Sequence, residues 1–267
     1  TRGPGDAARL SREFSEAGMD AVAVSGGDGT VGDAASGLIG SKTPLAVLPG
    51  GTGNNFATEL GLPADYVQAC RLLGRDDLEV RSCDMGVFEN THFLLRLSLG
   101  MEAAIVKGAE RDSKRRMGGL AYVTSYLRTM FSSENSHYRL WLDGSVHMVE
   151  GVSCIVANSG NLGVPWAHLA PDIHIDDGVF DVVVIRSTGS GRLYLMRPFI
   201  VGTEAETDAY YRWRAREVVV EADPPQDIQC DGEIFSPRTM KTSIVPGALR
   251  VIVPAVTAVS AASEKDV

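Results

Sequence analysis

Twice within the first sixty residues a short apolar run ends in a glycine-rich loop that opens a helical segment, and this repetition restricts the fold more than any other feature. Ala21-Val22-Ala23-Val24 leads into Ser25-Gly26-Gly27-Asp28-Gly29-Thr30, and Leu45–Leu48 leads into Pro49-Gly50-Gly51-Thr52-Gly53-Asn54-Asn55. Apolar runs of four bounded by turn residues read as buried strands, and strands alternating with short helices predict a parallel sheet with crossover helices. Two such loops leaving adjacent parallel strands meet at the C-terminal edge of the sheet, where open α/β folds bind ligands. Glycine lets the main chain approach a ligand closely, and the N–H groups at a helix start favour an anion. Asp28 cannot itself attract phosphate, so a bridging Mg²⁺ gives its carboxylate a reason to sit there. The pattern predicts a nucleotide phosphate site, and the first loop has no P-loop lysine. A plain structural turn is the competing reading of either loop taken alone.

The flanking segments extend the α/β pattern. Asp6 is placed to cap a helix that presents Ala7, Leu10 and Phe14 on one face and stops at Gly18. Helices are expected over Val31–Ile39, Asn55–Leu60 and Asp65–Leu73. From about Asp77 the texture changes to strands: Leu78–Val87, His92–Leu99, Tyr138–Leu142, Val146–Ala157, Val179–Ile185, Glu217–Glu221, Asp227–Cys230, Met240–Ile244 and Leu249–Val253. Only the stretch from Glu102 to Phe131 reads as helical. Such a run of strands predicts an antiparallel sandwich or barrel. The expected organisation is a nucleotide lobe over residues 1–80, a β lobe over 81–253 and a polar tail over 254–267.

Composition excludes several function classes. The 267-residue chain carries a net charge of −9, so no basic field exists for general nucleic-acid binding. Cys70, Cys83, Cys154 and Cys230 form no C-x-x-C pair and read as reduced thiols of a cytoplasmic protein. The five histidines show no helical ligand spacing. No apolar run reaches the ~18 residues that a membrane span needs. The chain begins at Thr1 rather than Met, which leaves a trimmed or unlisted N-terminus as the expectation.

A third element lies far along the chain. Asp231-Gly232-Glu233 follows the strand ending at Cys230, and a Glu on such a turn can serve as general base to an alcohol if folding brings it to the phosphate loops. A polar β-turn is the plainer reading. Taken in order, Gly26-Gly27-Asp28-Gly29-Thr30, Pro49–Ala57, Asp176-Asp177-Gly178-Val179-Phe180 and Asp231-Gly232-Glu233 resemble the diacylglycerol kinase catalytic-domain family, which includes bacterial soluble lipid kinases and sphingosine kinases. Weaker matches lie at Ser98–Glu102 and from Asn158-Ser159-Gly160-Asn161 to Asp172, so the likeness spans about residues 6 to 250. The order of the four motifs is specific, whereas the first loop alone is shared with NAD kinases.

The resemblance implies two lobes, an N-terminal α/β Rossmann-like nucleotide lobe and a C-terminal antiparallel β-sandwich, with the active site between them. It implies that Gly26, Gly27, Asp28, Gly29, Thr30, Gly51, Thr52 and Asn54 cradle Mg-ATP, with Asp28 helping to hold the Mg²⁺. Glu233 would take the proton of a lipid hydroxyl, with Asp231 beside it. Asp177 and the main-chain carbonyls of His174 and Val179 would hold a structural Mg²⁺. Three departures stand out. Asn55 replaces the family's usual Asp, Gly32 replaces a common Asn, and nothing ahead of Thr1 supplies the family's first strand and its Asn-Pro-x-Ser-Gly loop. The implied activity is ATP-dependent phosphorylation of a primary hydroxyl on a lipid such as diacylglycerol. An NAD kinase-like enzyme and a nucleotide- or lipid-binding module without catalysis are the alternatives.

A basic segment suggests where a membrane would be met. Lys107, Arg111, Lys114, Arg115 and Arg116 stand against only Glu110 and Asp112, and an amphipathic stretch from Leu120 to Phe131 follows. The expectation is that this segment rests on anionic headgroups at the inner membrane surface, with a solvated loop before a core helix as the alternative. Trp166 is a further candidate for acyl-chain contact. A peripheral cytoplasmic protein, with a homodimer allowed, completes the expectation.

Overall fold

The computed structural model describes residues 1–51, 53–100, 135–162, 168–170, 172–188 and 208–255. The chain opens with α1 (Asp6–Glu16), β1 (Val22–Gly26), α2 (Asp28–Ser36), β2 (Leu45–Pro49), α3 (Asn55–Glu59) and α4 (Tyr66–Leu73). Strands β1 and β2 run parallel in register, from Val22 opposite Leu45 to Gly26 opposite Pro49, so both glycine-rich loops leave the same edge. α2 packs on β1, α1 on α2, and α4 on β2 and β14 (Thr239–Pro254). Asp65 caps α4 by accepting the Gln68 N–H at 2.8 Å. The start of α1 differs from expectation. Gly5, at φ 81°, is the cap residue, and Asp6 sits in the first turn, where its carboxylate takes the Arg2 N–H and the Arg9 guanidinium. Phe14 is about half exposed rather than core-facing; Ala7 and Ser11 are the residues α1 buries.

The remaining strands are β3 (Leu78–Phe88), β4 (Thr91–Phe93), β5 (Arg96–Gly100), β6 (Ser136–Leu142), β7 (Ser145–Gly151), β8 (Ser153–Ala157), β9 (Phe180–Ile185), β10 (Tyr210–Ala215), β11 (Glu217–Asp223), β12 (Ile228–Cys230) and β13 (Glu233–Phe235), followed by β14. They form two sheets. One runs β1-β2-β14-β11-β6-β7 with β3 on β14 and β4 on β3; the other runs β10-β9-β8-β5-β12-β13. Every pairing is antiparallel except β1 with β2 and β2 with β14.

Inward side chains of the two sheets interdigitate in one core, with Phe88, Tyr138, Leu140, Val218, Val220 and Met240 facing Leu97, Cys154, Val156, Phe180, Val182 and Val184. Each large side chain buried there contributes about 1.5–3 kcal/mol of hydrophobic stabilisation before ordering costs. The fold is a mixed α/β N-terminal lobe joined to an antiparallel β-sandwich.

The two lobes share one sheet. β14 pairs with β11 through Glu217–Glu221, then passes a bulge between Val245 and Leu249, and meets β2 in parallel at Val251 opposite Leu45. Leu249, Val251 and Val253 therefore belong to the same core as Val22, Val24, Leu45 and Phe56. Sequence reading divides this element into Met240–Ile244 and Leu249–Val253; the chain makes one strand of both, because the bulge is pinned. Gly247, at φ +59°, donates its N–H to Asp84 Oδ1 at 2.7 Å.

Candidate functional site

The two glycine-rich loops touch backbone to backbone. Gly50 N–H donates to the Gly26 carbonyl at 2.9 Å, and a Cβ placed on Gly51 would lie 2.5 Å from the Gly27 Cα. No side chain fits between them, which is why glycine occupies both positions. α2 begins at Asp28 immediately after Gly27, with no side-chain cap. The first N–H groups of a helix have no partner within it, so this end is an anion-binding surface as it stands.

Asp28 ties one loop to the other. Its Oδ1 accepts the Phe56 N–H at 3.0 Å, while its Oδ2 accepts the Asn55 N–H at 3.0 Å and the Asn55 side-chain amide at 3.1 Å. The carboxylate of the first loop thus caps the helix that follows the second. Asn54, at φ 53°, braces the second loop itself: its Oδ1 accepts the Gly51 N–H at 2.9 Å and its Nδ2 donates to the Gly51 carbonyl at 2.8 Å. Thr52 lies outside the described residues.

A cleft of about 740 Å³ opens beside this loop pair. Asp28, Gly29 and Thr30 of the first loop and Thr91, His92, Asp231 and Glu233 all line it, together with the chain's first residues. Folding therefore brings the Asp231–Glu233 turn to the first loop across two hundred residues of sequence. Thr91 and His92 are lining residues that sequence reading did not single out: His92 is expected only as the start of a strand. Desolvation here pulls His92 below the ordinary imidazole range.

Asp231 and Glu233 stand in opposite environments. The Asp231 carboxylate accepts three backbone N–H groups, from Leu94 at 2.7 Å, Leu95 at 3.1 Å and Arg96 at 2.9 Å. Burial pushes its carboxyl up from the usual range against the downward pull of those amides. These bonds also explain why the expected strand over His92–Leu99 divides into β4 and β5: Leu94 and Leu95 turn their N–H groups onto Asp231 instead of a neighbouring strand. Glu233 begins β13, is exposed, and lines the cleft.

The Asp176-Asp177-Gly178 turn lies elsewhere. Asp177 pairs with Arg214 and accepts the Val179 N–H at 3.2 Å, and Asp176 pairs with Arg81 at 2.8 Å, which holds its carboxyl low. Gly178 N–H donates to Asp84 Oδ2 at 2.6 Å, so one buried carboxylate fixes both this turn and the β14 bulge. A guanidinium on Asp177 opposes a cation there, and among the described residues no three His, Cys, Asp or Glu side chains gather to hold a metal. Lys107, Arg111, Lys114, Arg115, Arg116 and Trp166 lie outside the described residues. No helix among those described is long and apolar enough to cross a membrane.

Comparison with known proteins places the same two parts in the same order. Residues 1–87 match the family model of the diacylglycerol kinase catalytic domain, and residues 96–253 match that of the YegS C-terminal NAD kinase beta sandwich-like domain. Over 256 residues the chain is 30% identical to a diacylglycerol kinase of Mycobacterium tuberculosis, covering 93% of this chain and 82% of that one. An uncharacterized Synechocystis protein is 26% identical over 238 residues; they make up 87% of this chain, which spans 54% of that relative. The crystal structure of a candidate diacylglycerol kinase from Bacillus anthracis superposes with a TM-score of 0.76 at 26% identity, over 96% of this chain and 85% of that one.

Proposed function

The chain belongs to the diacylglycerol kinase catalytic-domain family and is a lipid kinase of that family, and we propose that it transfers the γ-phosphoryl group of Mg-ATP to a primary hydroxyl of a lipid. The observation that carries this reading is the shared cleft: the helix start at Asp28–Thr30 and the exposed Glu233 line one cavity. The N–H groups at the start of α2, Asp28–Thr30, receive the phosphates, and the second loop, whose Gly50 N–H is bonded to the Gly26 carbonyl, holds that start in place. Mg²⁺ bound to the nucleotide would supply neutralisation of the phosphate charge, with Asp28 the nearest carboxylate of the first loop. Asp28 serves by fixing the second loop against the first.

Glu233 accepts the proton of the lipid hydroxyl as its oxygen attacks the γ-phosphorus, and ADP leaves with the bridging oxygen. Asp231, already saturated by three amides, holds the turn in place and takes no proton. Most of the acceleration then comes from positioning and charge neutralisation. Diacylglycerol is the acceptor favoured by the named relatives. Peripheral contact with the membrane through Lys107, Arg111, Lys114, Arg115 and Arg116 belongs to the same proposal.

Labelled ATP offered with diacylglycerol, sphingosine, phosphatidylglycerol and NAD in parallel tests the reading. Label in a lipid supports it. Label in NAD alone gives the chain to the NAD kinase alternative, and ATP binding without transfer to any acceptor makes it a binding module.

A further inference from the structure

The short helix α3 is held at both ends by groups outside itself. Its first N–H groups, of Asn55 and Phe56, donate to Asp28. Its last residue, Glu59, reaches in the other direction, where Oε2 accepts the Ser159 hydroxyl at 2.5 Å and the Asn161 N–H at 3.2 Å. Ser159 is completely buried at the end of β8, so a carboxylate of the nucleotide lobe is carried into the sandwich.

The connection continues beyond Ser159. The N–H groups of Asn158 and Ser159 both donate to the Leu95 carbonyl, at 2.8 and 3.0 Å, and Asn158 Nδ2 donates to the Leu94 carbonyl at 2.7 Å. The same Leu94–Leu95 segment turns its N–H groups onto Asp231. A hydrogen-bonded path therefore runs from Asp28 through α3, Glu59, Ser159 and Leu94–Leu95 to Asp231, and ends two residues from Glu233. Both of its ends, Asp28 and Asp231, line the cleft.

We propose that Glu59 is a positioning residue for phosphoryl transfer, coupling the phosphate loops to the turn that carries Glu233. It touches no substrate; it sets the distance between two groups that do. The role rests on the lipid kinase reading, and displacements of an ångström at a reacting centre cost on the order of 10²-fold in rate. A fastening that serves only α3 would leave the far end of the path unmoved.

The test compares Glu59→Ala, Glu59→Gln, Ser159→Ala and the Glu59→Ala/Ser159→Ala pair in the full chain. Two readouts are used: amide hydrogen exchange at Leu94–Arg96 and Asp231–Glu233, and transfer of labelled phosphate from ATP to diacylglycerol in detergent micelles. Glu59→Ala is expected to speed exchange at both segments and to lower kcat by about tenfold or more, with the ATP KM within about twofold. Glu59→Gln keeps an oxygen that accepts both donors and restores most of the rate. The double variant is expected to be no worse than the worse single one. Unchanged exchange at Leu94–Arg96 in Glu59→Ala overturns the proposal, as does a Glu59→Gln enzyme as slow as Glu59→Ala. If Glu59→Ala does not fold, Ser159→Ala removes a single hydroxyl and carries both readouts. An unmutated chain that phosphorylates no lipid refutes the kinase reading, and the exchange measurement still decides the role of Glu59.

Discussion

The Asn55 side-chain amide donates to the Asp28 carboxylate at 3.1 Å, joining the two loops through a neutral donor and a charged acceptor. Asn55→Asp places a second carboxylate in that contact. At neutral pH the like charges are expected to cost about 1–2 kcal/mol of stability and to weaken ATP binding, with added Mg²⁺ recovering part of the loss. Urea unfolding with and without Mg²⁺ measures it; an equally stable variant means that the amide contact is idle.

Gly51→Ala tests the contact between the loops. Its methyl carbon would sit 2.5 Å from the Gly27 Cα, so the loops must separate. Overpacking of this kind costs about 1–3 kcal/mol. ATP affinity is expected to fall by about tenfold or more, equivalent to about 1.4 kcal/mol, with β1 and β2 intact. Equilibrium dialysis with labelled ATP, alongside far-ultraviolet circular dichroism, separates these effects.

The two acidic residues of the Asp231–Glu233 turn are expected to fail in different ways. Glu233→Gln keeps the fold and loses about 10²–10⁴-fold in lipid phosphorylation. Asp231→Asn leaves three backbone donors facing an amide and loses about 2–3 kcal/mol of stability as well as rate. Thermal melts and turnover of both variants check this; a stable, active Asp231→Asn would remove the anchor from the account.

Thiol labelling distinguishes the four cysteines. Cys70 is exposed, whereas burial pushes Cys83 and Cys154 up to about 12 and raises Cys230 as well. Iodoacetamide at pH 8 is expected to modify one thiol rapidly in the folded chain and four after denaturation. A second fast site would show that one of the buried cysteines opens to solvent.

His92 supplies a pH dependence with a defined sign. Its folded value lies below the ordinary 6.5, because desolvation favours the neutral ring. That contribution to stability is complete above about pH 6.5 and is lost as pH falls through the lower folded value. An NMR titration with a His92 midpoint below 6.5 is expected, together with a stability difference between the wild type and His92→Asn that narrows on acidification.

The phosphate loops were legible because their signal is local: an apolar run, a glycine turn and a helix start lie within a dozen residues. The partners of the polar groups were not. Asp28 finds its donors at Asn55 and Phe56, 27 and 28 residues away, and Asp231 finds its own 135 to 137 residues upstream. No periodicity encodes such contacts. β10 escaped notice because Tyr210–Ala215 alternates arginines with aromatics that stay partly exposed, and β13 because three residues are too few to show a pattern. Glu233 is visible in the sequence as an acidic residue after a turn; that it opens a strand and lines the cleft required the fold.

β14 has a consequence for how the protein is made. Its last residues complete the core around β1 and β2, which lie far upstream and leave the ribosome well before it. The nucleotide lobe must therefore wait, with Val22, Val24 and Leu45 uncovered, until residues 249–253 emerge. During synthesis the loops after β1 and β2 have no finished sheet to stand on, so the glycine-rich edge takes its final form only after the sandwich strands have been translated.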